Sequence, residues 1–130
     1  MINKVLVVDD EAPVRDLFTD LFQAEKYTVK TASSGEEALD LIDKDNFDVV
    51  LLDIKLPGIS GIEVLKRIKD KHPKLMVIMI TGFGYDEDLI AKSKQCGCSG
   101  YIGKNMPVSQ IITTFKQFIE NTREKERPLK

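Results

Sequence analysis

The chain has no tryptophan, a single histidine and only two cysteines among its 130 residues. That scarcity excludes a conventional zinc centre, because Cys96, Cys98 and the distant His72 cannot complete a tetrahedral ligand set. A bridge between Cys96 and Cys98, separated only by Gly97, would be strained, so both are expected to be reduced thiols in a reducing compartment. His72, which precedes Pro73 in a polar turn, is expected to be solvated. Excess charge of either sign is also lacking: the formal net charge is −2 and no basic block occurs, so direct nucleic-acid binding by phosphate neutralisation is not expected. Long apolar runs are missing too. The longest, Leu75 to Ile80, suits a strand and not a membrane span, and the run after Met1-Ile2-Asn3-Lys4 is too short for a signal peptide. A cytoplasmic protein without membrane attachment is the expectation.

What is present is a regular alternation within a length that suits one domain. Lys4-Val5-Leu6-Val7-Val8 and Val49-Val50-Leu51-Leu52 are β-branched and aliphatic runs of the kind buried on both faces of a parallel sheet. Leu75 to Ile80 is a third, Thr28 to Ala32 alternates as an edge strand would, and Gly100-Tyr101-Ile102-Gly103 is a short fifth strand. Between them lie helical patterns. Val14, Leu17, Phe18, Leu21 and Phe22 form one apolar stripe behind Pro13, and Val108, Ile111, Ile112, Phe115, Phe118 and Ile119 form another behind Pro107. Ser34 with Glu37, and Ser60 with Glu63, match capping boxes that open helices bearing Ala38, Leu41 and Ile42, and Val64, Leu65 and Ile68. Asp86 to Gln95 has the thinnest face, chiefly Leu89, Ile90 and Ala91, and is expected to be the most mobile helix, capped by Gly97. Residues 1–120 are thus expected to form one domain, and the charged residues 121–130 a disordered tail or truncated linker.

Five strands alternating with five helices imply a doubly wound parallel sheet with right-handed crossovers. The most continuous apolar runs belong in its middle, which leads to the order 2-1-3-4-5 of a flavodoxin-like fold. In that order the first and third strands are neighbours where the winding reverses, and the crevice at their carboxyl ends is the expected ligand site. Asp9, Asp10 and Asp53 stand there, at the ends of those two strands. Three carboxylates so close repel one another unless a cation compensates; a hard divalent ion with oxygen ligands is the natural one, and Mg2+ commonly uses only one or two carboxylates with water and a substrate phosphate. Thr81 and Lys104, just beyond the fourth and fifth strands, face them with a hydroxyl and an ammonium. Singly these are ordinary residues: acids at a helix start, a turn threonine, a loop lysine. Together a carboxylate nucleophile, a metal, a hydroxyl and a lysine can surround a transferring phosphoryl group.

Four segments, Val7-Val8-Asp9-Asp10-Glu11, Leu51-Leu52-Asp53-Ile54-Lys55-Leu56-Pro57-Gly58, Ile80-Thr81-Gly82 and Tyr101-Ile102-Gly103-Lys104, resemble the signature segments of response-regulator receiver (CheY-like) domains of two-component signalling. The resemblance covers nearly the whole chain. It implies that Asp53 is the phosphoacceptor, served by a sensor histidine kinase or a histidine phosphotransfer protein. It further implies that Asp10 ligates Mg2+ directly, Asp9 chiefly through water and Lys55 through its backbone carbonyl. Thr81 and Lys104 would bind the phosphoryl oxygens, Tyr101 would swing inward on activation, and Lys55 and Phe83 would tune the lifetime of the acyl phosphate. One departure stands out: Asn105 follows Lys104 where the family usually has proline, often after a cis peptide. A cis bond before a non-proline costs roughly 3 kcal/mol, so a trans bond or a rearranged loop is expected here.

Such a receiver would switch a surface formed by the fourth helix, fifth strand and fifth helix, and act on a downstream protein or an output domain absent from this chain. It would be a monomer or a weak, phosphorylation-dependent dimer, and no turnover enzyme beyond self-catalysed phosphotransfer and slow autodephosphorylation. Three rival functions stand beside it. A phosphorylation-independent interaction module would not need the complete acidic set. An aspartyl phosphohydrolase of the haloacid-dehalogenase kind wants a second carboxylate where Lys55 stands, and a flavin or nucleotide binder wants a glycine-rich loop after the first strand.

Overall fold

A computed structural model of the chain describes residues 2–82 and 87–126, with side chains of the last helix described as far as Thr122. Five strands, β1 (Lys4–Val8), β2 (Thr28–Ala32), β3 (Val49–Asp53), β4 (Met76–Thr81) and β5 (Gly100–Gly103), alternate with α1 (Ala12–Ala24), α2 (Gly35–Lys44), α3 (Gly61–Lys71), α4 (Glu87–Gln95) and α5 (Val108–Glu126). All strand pairs are parallel and the order is β2-β1-β3-β4-β5, as the apolar patterning implies.

The pleat sends alternate residues of the central strands to two cores. Leu6, Val8, Val50, Leu52, Val77 and Met79 face α2, α3 and α4, whereas Val5, Val7, Val49, Leu51, Ile78 and Ile80 face α1 and α5. On the second face Phe22 and Phe115 meet edge to face with ring centroids 4.6 Å apart, and Tyr27 packs on both. Such pairs add about 0.5–1.5 kcal/mol each beyond the area they bury, and here they fasten α1 to α5.

Helix starts follow local chemistry. The Ser34 and Ser60 hydroxyls accept the backbone N–H groups of Glu37 and Glu63 at 3.1 and 3.2 Å, the forward half of each capping box. The acids do not reach back: Glu37 takes the Ser33 hydroxyl at 3.1 Å, and Glu63 lies 3.4 Å from Arg67 Nε. The Pro107 carbonyl accepts the first N–H groups of α5, from Gln110 and Ile111.

Four expectations change. Helix α5 continues to Glu126, seven residues past Ile119, into the segment expected to be a disordered tail. Residues 120–127 are mostly good helix formers and the first breaker is Pro128, so nothing local stops the helix earlier. In α4, Ala91 is exposed, and the buried positions are Ile90 and Ser93. Ser93 enters the apolar face because its hydroxyl donates to the Leu89 carbonyl at 2.8 Å and so needs no other partner. Leu17 and Val108, at the margins of their stripes, are exposed. His72 is half-buried: its backbone N–H closes α3 on the Ile68 carbonyl, and Nε2 lies 3.4 Å from Asp43. Cys96 and Cys98 are half-buried free thiols, and Gly97 between them takes φ +100° at the end of α4, the left-handed cap expected of it. The expectations for Phe83 and for Asp86 as a helix start lie outside the described residues. Among the described residues no helix is long and apolar enough to cross a membrane.

Candidate functional site

Parallel register brings the strand tips level. Val8 stands opposite Leu52 and Asp53 opposite Ile80, while Thr81 pairs with Gly103. The residues that follow β1 and β5, and those that end β3 and β4, therefore meet at one edge of the sheet. Carboxylate oxygens of Asp9, Asp10 and Asp53 all lie within 4.8 Å of one another. Lys104 reaches across to them: its Nζ is 3.0 Å from Asp53 Oδ2, 2.9 Å from Asp9 Oδ2 and 3.6 Å from Glu11 Oε2. Asp10, Asp53, Lys55, Thr81 and Lys104, with Leu89 and Ile90 of α4, line a cavity of about 230 Å³.

The backbone aims these side chains. Asp9 Oδ1 accepts the Glu11 N–H at 2.9 Å, and Asp53 Oδ1 accepts the Lys55 N–H at 3.1 Å, so each acid is oriented by its own turn. The Lys104 N–H donates to the Thr81 carbonyl at 2.7 Å, and Met106 N–H to the Gly103 carbonyl at 3.0 Å, which closes the turn after β5. The Lys104–Asn105 peptide is trans, as the absence of proline there led one to expect, and the lysine still points into the crevice.

Burial sets the electrostatics. Asp9 is fully buried and Asp53 only 3% exposed. Burial, with the neighbouring Asp9 charge, pushes the Asp53 carboxyl up to about 6 against the opposing pull of Lys104. Burial pulls the Lys104 ammonium down, but its contacts with Asp9 and Asp53 outweigh that and hold it above the usual lysine range. Among the described residues, two buried side-chain oxygens have no hydrogen-bond partner, Asp9 Oδ2 and Thr81 Oγ1. Asp9 Oδ2 has Lys104 Nζ 2.9 Å away as an ion pair, and the all-oxygen donor set of the three acids fits a divalent ion such as Mg2+.

Every strand-tip residue singled out from the sequence, Asp9, Asp10, Asp53, Lys55, Thr81 and Lys104, lies at this crevice. Tyr101 is set apart: its half-buried ring packs on the α4 side of the sheet, with Lys94 Nζ 5.5 Å from the ring centroid. Two contributors were not foreseen. Glu11 shares Lys104, and its place directly after Asp9-Asp10 was the available signal. Arg15 donates to the Asp9 carbonyl at 2.7 Å, a contact across the first turn of α1 that no motif marks.

Comparison with known proteins agrees with this geometry. Residues 5–116 match the family model of the response regulator receiver domain. The chain is 37% identical over 119 residues to sporulation initiation phosphotransferase F of Bacillus subtilis, covering 92% of this chain and 95% of that protein. It is 38% identical over 123 residues to the polar-differentiation response regulator DivK of Brucella ovis, with coverage of 92% and 98%. Among solved structures, a CheY-like receiver domain protein from Methanospirillum hungatei superposes with TM-score 0.86 at 27% identity, over 96% of this chain and 99% of that one. NtrX from Brucella abortus superposes at 0.88 and 30% identity, over all of this chain and 31% of its own. With the acidic crevice, the strand order and these likenesses in agreement, the chain belongs to the response-regulator receiver domain family.

Proposed function

We propose that this chain is a phospho-accepting receiver in which Asp53 takes a phosphoryl group from a histidine kinase or a histidine phosphotransfer protein. The observation that carries the reading is a buried carboxylate at the tip of β3, 3.0 Å from an ammonium and grouped with two further acids around a crevice large enough for a phosphoryl group. An Asp53 oxygen attacks phosphorus, the P–N bond to the donor imidazole breaks, and its electron pair leaves with the imidazole. With its pKa near 6, Asp53 is mainly ionised at neutral pH and available as the nucleophile.

Asp10 and Asp53, with Asp9 through water and the Lys55 carbonyl, would hold Mg2+, which when bound neutralises charge on the phosphoryl oxygens. Lys104 and Thr81 supply the remaining positive charge and donor: Lys104 exchanges carboxylate partners for a phosphoryl oxygen, and the Thr81 hydroxyl, without a partner among the described residues, donates to another. Tyr101, on β5 between Lys104 and the α4 side, is positioned to follow that shift and alter the α4–β5–α5 face offered to a downstream protein or output domain. The chain would act in the cytoplasm, as a monomer or a weak phosphorylation-dependent dimer. Its only chemistry would be its own phosphotransfer and slow hydrolysis of the acyl phosphate.

Incubation with Mg2+ and a small acyl-phosphate donor is expected to add one phosphoryl group at Asp53, read by intact mass and peptide mapping. Omission of Mg2+ or the substitution Asp53→Asn should abolish the gain. Equal labelling of Asp53→Asn at another residue would overturn the assignment.

A further inference from the structure

The loop between β3 and α3, residues 54–60, carries Lys55 and is held differently at its two ends. Its base is backbone on backbone: Ile54 N–H donates to the Ile80 carbonyl at 3.1 Å, and Gly61 N–H to the Ile54 carbonyl at 2.9 Å. A Cβ on Gly61 would fall 2.0 Å from the Asp53 carbonyl oxygen, so α3 starts directly against the end of β3. The outer half has another anchor. Gly58, at φ +74°, turns the chain toward α2, and the Ile59 N–H donates to Glu36 Oε1 at 3.2 Å across 23 residues of sequence. A Cβ on Gly58 would meet the same oxygen at 3.2 Å. Helix α2 follows β2, the one strand that brings no residue to the crevice, so Glu36 links this edge of the fold to the loop beside Asp53.

We propose that Glu36 is a positioning residue: its carboxylate holds the outer half of the β3–α3 loop and thereby the Lys55 backbone carbonyl at the metal site. This rests on the reading that Asp9, Asp10, Asp53 and Lys55 bind a divalent cation. A carbonyl on a tethered loop loses less freedom when a cation arrives, and that saving appears as affinity. The bland role for Glu36, an acid in the first turn of α2 favouring the helix dipole, depends on its charge and not on its acceptor oxygen. The two roles therefore separate in a glutamine variant, which keeps the acceptor and loses the charge.

The test is Mn2+ binding to the purified full chain without phosphodonor, followed by electron paramagnetic resonance of the free ion, for wild type, Glu36→Ala, Glu36→Gln and Glu37→Ala. Glu36→Ala is expected to bind Mn2+ about three- to fivefold more weakly, within the net worth of one ordinary exposed hydrogen bond. Glu36→Gln should restore wild-type affinity, with the Ile59 amide proton resonance near its wild-type position, while Glu37→Ala, an equal loss of charge one residue away, should bind as wild type does. Glu36→Ala binding as tightly as wild type, or Glu36→Gln as weakly as Glu36→Ala, would overturn the proposal. Absence of Mn2+ binding by the wild type would instead bring down the metal-site reading, and the proposal with it.

Discussion

Two clusters of lysine and aspartate sit at opposite ends of this sheet, built from the same residue types with opposite arithmetic. At the carboxyl end one ammonium, Lys104, is shared by Asp53, Asp9 and Glu11, and the two aspartates are almost wholly buried. At the amino end one carboxylate, Asp45, is shared by Lys4 and by Lys30, the latter at 2.8 Å, and its side chain is a quarter exposed. Nearby Asp48 is satisfied by the backbone N–H groups of Asn3 and Lys4, both at 2.9 Å. Hydrogen bonds from Lys30 and Lys4 hold the Asp45 carboxyl well below the usual range, whereas burial pushes Asp53 the other way. An acid with surplus cations in reach of water is a structural tie. Surplus acids around one half-buried cation leave carboxylate charge only partly compensated, and perturbed electrostatics of that kind cluster at functional sites.

Removing the shared cation should break the contrast most severely. Lys104→Met leaves Asp9 and Asp53 facing each other unpaired and is expected to cost about 3 kcal/mol in urea unfolding without metal. Millimolar Mg2+ should recover part of that loss. The same lysine-to-methionine change at Lys30 should be far milder, because Lys4 still serves Asp45.

Asp53→Asn should act in the opposite sense and stabilise the metal-free chain at pH 7.5 by about 1–2 kcal/mol, since it relieves a buried charge held against its tendency to neutralise. The sign with pH follows from the raised carboxyl. As pH falls, folded Asp53 takes up its proton near 6, ahead of the unfolded chain near 4, so this group makes wild type more stable across that window. The advantage of Asp53→Asn should shrink between pH 7 and pH 5, as chemical unfolding at several pH values would reveal. An advantage independent of pH would mean that Asp53 is not the titrating group.

The smallest effect belongs to the amino end. Asp45→Asn should lower the melting temperature slightly at neutral pH, and the difference should fade in about 1 M salt, where the screening length drops to about 3 Å. Asp45 contributes stability above the unfolded carboxylate range, and that contribution is lost as pH falls through its lowered folded value. Raising salt should change the Lys104→Met penalty much less, because buried pairs are poorly screened.

The strands and helices were legible because each carries its own local signal. The aliphatic runs of β1, β3 and β4, the forward capping contacts of Ser34 and Ser60, and the Phe18, Phe22, Ile111 and Phe115 stripes need no knowledge of what lies across the molecule. The site residues were legible for a related reason: each follows or ends a strand at its carboxyl end, where a doubly wound sheet places its ligands. Less visible were features that only the packed molecule sets. Ser93 looks polar until its hydroxyl folds back on the Leu89 carbonyl, Leu17 looks internal until α1 settles on the sheet, and Arg15 has no motif to mark its contact with Asp9.

By itself, then, the sequence determined element type and order, and hence which side chains end up at the strand tips, because periodicity and turn chemistry act over a few residues. Only the tertiary structure decided how those side chains share charge. The in-register packing of β1, β3, β4 and β5 buries Asp9 and Asp53 around Lys104, the trans Lys104–Asn105 turn keeps that lysine aimed inward, and Glu36 reaches across to Ile59. Burial, register and reach across long stretches of chain are properties of the packed molecule, and the electrostatics of the crevice follow from them.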